Sequence, residues 1–145
     1  MKVGALKIPK SLVSLIDAGV WPKSELESSR QHLNRIVPDV FVRKFAPEEC
    51  MLYLYPPPFY TIASMVMHRS ALTSRQCAVS DIDPELAVVI GDFGIGSDTV
   101  LALDYRNIGS EPEVIRLVWR LPAQENCWVP VAESFTTFWL QIGGE

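Results

Sequence analysis

The stretch "VVIGDFGIGSDTVLALDY", residues 88–105, places three glycines and two aspartates between two apolar runs. Glycines in such a run can let a backbone close around phosphate, so the first chemistry to weigh is nucleotide binding. A dinucleotide fingerprint needs a third glycine where Thr99 stands, and a helix after the loop. Here the residues that follow alternate like a strand. A phosphate-binding P-loop needs Gly-Lys-Ser/Thr, and the last lysine of the chain is Lys44. The stretch therefore reads as a wide hairpin connection. Gly91, Gly94 and Gly96 are expected to supply positive φ, and Asp92 and Asp98 to make local turn hydrogen bonds.

Three other groups carry potential chemistry. Asp81, Asp83 and Glu85 alternate in "SDIDPE" and could set carboxylates on one side of an extended segment, but without the spacing of a calcium loop they read as a solvated turn. His32 and His68 are the only histidines, and neither lies in a zinc-protease or nucleophile-elbow pattern. Cys50, Cys77 and Cys127 are widely spaced, with no C-x-x-C pair. That fits reduced, buried thiols in a cytoplasm rather than a disulfide framework, and a Cys–His nucleophilic pair could meet only in space. Asp104 and Arg106 share strand parity and Arg116 lies on the following strand, so an ion pair on the sheet surface is expected. No catalytic, cofactor or metal residue is assigned.

These groups need a scaffold, and the totals bound it. A chain of 145 residues, 48% hydrophobic and 21% charged, fits one globular domain spanning 1–145. It has no apolar run long enough to cross a bilayer, and its start lacks a signal-peptide cleavage pattern. The net charge of −4 hides an asymmetry: residues 1–75 hold ten basic and six acidic residues, residues 76–145 three basic and eleven acidic. An acidic second half repels nucleic-acid phosphates and suits a basic protein partner.

The elements follow from periodicity. Pro9 suits a first helical turn, Leu12, Leu15 and Ile16 share one face, and Gly19 ends that helix. "SELE" is a capping-box pattern opening a second helix from Ser24 to about Leu33, and Pro38 should stop it. "MLYLY" reads as a strand that "PPP" at 56–58 must break, and "FYTIASMVM" as a second strand, with a short helix as the alternative. "ELAVVI" is a buried strand. "TVLALDY" and "VIRLVW" alternate with period two, as in an antiparallel sheet covered on one side. Phe135, Phe138, Trp139 and Ile142 recur at helical spacing up to Gly143. The expected fold class is α+β: an antiparallel central sheet with N-terminal helices and a C-terminal amphipathic helix packed on it.

Three segments in order, "IGDFGIGSDTVLALDYRN", "PEVIRLVW" and "WVPVAESFTTFWLQI", resemble the core pattern of the SUKH superfamily, which includes bacterial immunity proteins and fungal cell-wall regulators of the Smi/Knr type. Leu103-Asp104, Pro112 to Val114, and Ser134, Phe135 and Phe138 carry the match, over roughly residues 85–143. The usual N-terminal segment of that pattern is not recognisable, unless "IPKSLVSLIDAG" is a divergent version. The resemblance implies a non-enzymatic, cytoplasmic immunity protein that neutralises a bacterial toxin domain by occlusion. Its partner would be a protein, with no nucleic acid, membrane or cofactor involved. Taken with the acidic second half, it directs attention to Asp92, Asp98, Asp104, Arg106, Glu111 and Glu113 as partner-binding residues. The alternatives are a regulatory adaptor for cellular proteins and, third, a small metal-dependent hydrolase built on Asp81, Asp83 and Glu85.

Overall fold

The computed structural model describes residues 1–68, 82–94, 99–107, 109–120 and 125–144. Its centre is an antiparallel sheet made of β3 (Tyr53–Leu54), β4 (Tyr60–Thr61), β5 (Ala87–Asp92), β6 (Val100–Asp104), β7 (Glu113–Arg120) and β8 (Glu125–Ala132). The spatial order is β3–β5–β6–β7–β8, and β4 also pairs with β5. Tyr53 and Leu54 face Asp92 and Gly91, and Tyr60 and Thr61 face Val89 and Val88. Thus β3 and β4 form one edge strand interrupted by the three prolines, which cannot donate to a ladder. The Pro57–Pro58 peptide is cis.

Helices α1 (Lys10–Asp17), α3 (Asp39–Phe45) and α5 (Phe135–Gln141) cover one face, and α2 (Glu25–Ser29) leads through a 3-10 turn (Arg30–His32) along the β3 edge. Leu12, Ile16, Val42, Phe135 and Phe138 pack with Val88, Ile90, Leu101 and Leu103 in one apolar cluster. Burying a side chain such as Phe138 stabilises the fold by about 1.5–3 kcal/mol. Helix α5 starts where Ser134 accepts a hydrogen bond from Thr137 N–H at 3.1 Å, and Gly143 follows its end at φ +88°. A small hairpin of β1 (Lys2–Val3) and β2 (Leu6–Lys7) precedes α1.

The α+β architecture agrees with the sequence reading, and several details correct it. The sheet is not covered on one side only. Ile62 and Met65 of α4 (Ile62–His68) pack on its second face with Val89, Ala102, Ile115, Leu117 and Trp128, and β6 is buried at every position. "FYTIASMVM" gives only two strand residues before it turns helical. Pro38 both follows the α2 region and caps α3, because its fixed φ suits the approach to a first turn. Gly91 has no positive φ: it lies inside β5, where a Cβ would sit 2.5 Å from the Tyr53 carbonyl oxygen. Gly94, at φ +89°, behaves as expected, and Gly96 lies outside the described residues. Across this connection β5 and β6 pair antiparallel, so a strand, not a helix, follows the glycines.

Candidate functional site

Gln31 is a buried side chain, 1% exposed, in a turn of otherwise exposed polar residues. Its amide donates to the Leu54 carbonyl at 2.9 Å, and its carbonyl accepts from the Leu54 N–H at 2.9 Å. A side chain thus does for β3 what a further strand would do, satisfying main-chain groups at the sheet edge. Ser28 Oγ also donates to the Leu54 carbonyl, at 2.8 Å, and Trp21 Nε1 donates to the Tyr55 carbonyl at 2.8 Å. These bonds hold the α2 region against the edge and leave a cleft between them.

The cleft has a volume of about 320 Å³ and is lined by Glu25, His32, Tyr53, Tyr55, Asp92 and neighbouring small residues. Tyr53 and Tyr55, two residues apart on an extended chain, face the same side. The Tyr53 hydroxyl lies 2.8 Å from His32 Nδ1. The Tyr55 hydroxyl donates to Asp92 Oδ2 at 2.7 Å, and Asp92 Oδ1 accepts from Gly94 N–H at 2.9 Å. Glu25 sits in the first turn of α2, and its carboxylate has no bonded partner among the described residues. It also borders a smaller adjoining hollow of about 150 Å³ walled by Tyr55, Pro56, Phe59 and Tyr60. The hydroxyls at the rim are committed elsewhere: Ser28 Oγ to Leu54, and Ser29 Oγ to the Leu26 carbonyl at 2.7 Å.

The six residues singled out from the sequence do not form one patch. Asp92 pairs with Val100 and Asp104 with Ala87, so they lie at opposite ends of β6, about 14 Å apart by strand rise. Asp104 is 1% exposed and is held by Arg106, whose Nη2 lies 2.8 Å from Oδ2. The pair exists, but its carboxylate is buried rather than on the sheet surface. Arg116 takes no part in it: it lies on the opposite face, level with Leu101, and pairs with Glu48. Burial raises the Glu48 pKa, but the hydrogen bond and charge of Arg116 outweigh it and hold the group below its ordinary value.

Glu111 is a tie within the fold. Its Oε2 accepts from Thr136 N–H at 2.8 Å, and Oε1 accepts from the hydroxyls of Thr136 and Ser11, both at 2.9 Å. Glu113 accepts from Asn107 Nδ2 at 3.4 Å. Near them is a cleft of about 450 Å³ bordered by Tyr105, Arg106 and Glu111. There the Tyr105 hydroxyl donates to the Lys7 carbonyl at 2.8 Å, and burial raises its pKa well above the ordinary phenol value. Asp98 lies outside the described residues.

The remaining chemistry-bearing residues are dispersed. Asp83 Oδ1 accepts from Glu85 N–H at 3.0 Å, a local turn, and Asp81 lies outside the described residues. No group of three or more metal-ligating side chains comes together among the described residues. Cys50 is exposed, not buried as expected, because the chain there has left α3 and not yet joined β3; Cys127 is half-buried. Cys77 and the side chain of His68 lie outside the described residues. No described helix is long and apolar enough to cross a membrane.

Sequence reasoning missed Tyr53, Tyr55, Glu25 and Gln31 as site residues. The available signals were the alternation of Tyr53 and Tyr55 before the prolines and a glutamine within the α2 region. No family model, no curated protein and no solved structure matches this chain.

Proposed function

We propose that this chain is a protein-binding domain without catalytic activity, and that its partner is a basic toxin domain, neutralised in the cytoplasm by occlusion as the SUKH resemblance implies. The observation that carries the reading is the cleft beside the interrupted edge strand, where Tyr53 and Tyr55 stand with Asp92 and with a Glu25 that has no bonded partner among the described residues. Tyrosines present large, rigid contact areas at little entropic cost and are enriched where proteins bind one another. The serine hydroxyls of the cleft donate to main-chain carbonyls, and His32 Nδ1 is hydrogen-bonded to the Tyr53 hydroxyl. No serine–histidine pair is therefore formed there among the described residues, which supports a binding reading. The acidic second half, three basic against eleven acidic residues, supports a basic partner through steering.

Co-expression with a toxin domain encoded beside the gene tests this. Protection of growth together with a purified complex is expected. Absence of both protection and complex would overturn the immunity reading.

A further inference from the structure

We propose that the tyrosine cleft accepts the guanidinium of an arginine side chain presented by the partner; this rests on the protein-binding reading above. The lining supplies two carboxylates, two phenol rings and no lysine or arginine among the described residues. Asp92 receives one hydrogen bond on each oxygen, and each carboxylate oxygen can accept a second. Glu25 has its full acceptor capacity free among the described residues. A cation entering here would meet two carboxylate acceptors beside two tyrosine side chains.

The protein already carries a template for the interaction. The Arg35 guanidinium lies 5.7 Å over the Tyr53 ring centroid. Its own hydrogen bonds go to the Gln31 and His32 carbonyls and to Asp39, leaving Asp92 and Glu25 unneutralised by it. Arginine suits the site better than lysine because its planar group can stack on a ring while its N–H fork reaches carboxylates. The volume of about 320 Å³ is enough to take a single arginine side chain.

The test is a titration of isotope-labelled protein with N-acetyl-arginine methylamide, its lysine counterpart and its glutamate counterpart, followed by amide chemical shifts. The expected result is saturable shifts at residues 25–32, 53–55 and 92–94 with the arginine probe, at least threefold weaker binding of the lysine probe, and no response to glutamate. Glu25→Gln, an exposed change that leaves the fold intact, should weaken the arginine probe at least threefold, and Asp92→Asn further. Equal responses to all three probes, shifts confined to other surfaces, or no shifts would overturn the proposal. If growth protection and the purified complex persisted alongside such a result, the arginine subsite alone would be wrong; absence of both protection and complex would remove the immunity reading on which it rests.

Discussion

Gln31 and Leu54 are bonded to each other twice, side-chain amide to main chain, so the β3 edge is closed by a glutamine instead of a strand. This relationship sets the position of the 3-10 turn, and therefore of His32 against Tyr53.

Gln31→Leu keeps the approximate volume but strands the buried Leu54 N–H, while the Leu54 carbonyl loses one donor and keeps Ser28 Oγ. Each unsatisfied buried group costs about 1–3 kcal/mol. Urea denaturation should give a loss of about 1–3 kcal/mol on that basis. The uncovered edge should also pair between molecules, visible as concentration-dependent association by light scattering.

Gly91→Ala is expected to be far more disruptive than Gly4→Ala. At Gly91 the new methyl would press into the Tyr53 main-chain carbonyl, which the sheet holds in place; at Gly4, φ +59°, nothing lies within 4 Å. Overpacking of this kind costs about 1–3 kcal/mol or more, whereas the left-handed conformation alone costs about 1–2 kcal/mol. Thermal unfolding should rank the two in that order, and only Gly91→Ala should shift the amide signals of the cleft.

Glu111→Ala removes a carboxylate that joins α1 to the first turn of α5. Three hydrogen bonds disappear, two of them to Thr136. Because the site is partly solvated, the expected loss is about 1–3 kcal/mol. Partner binding should be unchanged under conditions where the variant remains folded, as calorimetry can show.

Glu48 gives stability an acid dependence. Its pKa is lowered in the folded state, so its contribution is present above the unfolded value and is lost as pH falls through the folded one. Glu48 is half-exposed, which limits the pair through solvent screening to about 1 kcal/mol or less. Melting temperatures of the native chain and Glu48→Gln should differ most near pH 7 and converge toward pH 3.

Much of the fold was legible because its signals are local. Leu12 and Ile16 at helical spacing, Ser24 as a cap and the alternation of β6 and β7 each reflect an element's own geometry. What was illegible depends on contacts distant in sequence. Alternation in "TVLALDY" cannot reveal that α4 covers the second face, and the short apolar run of α4 is periodically ambiguous. The candidate site was less legible still. Asp92 was marked by its turn chemistry, but Gln31 and Tyr53 gain their roles only when Gln31 meets Leu54 and His32 meets Tyr53 across the sheet edge. Glu111 looked available in sequence because nothing local announces that Thr136 and Ser11 engage it. The pairing of Asp104 with Arg106 was legible from strand parity, while the burial of its carboxylate was not.

The proposed partner is placed at the tyrosine cleft and not at the opposite end of β6. Calorimetric binding of a toxin domain that gives a complex in the co-expression test to Glu25→Lys and Glu113→Lys separates the two places directly. At least tenfold weaker binding by Glu25→Lys, with Glu113→Lys within twofold of the native chain, is the predicted result. Native affinity in Glu25→Lys together with a loss in Glu113→Lys would contradict it.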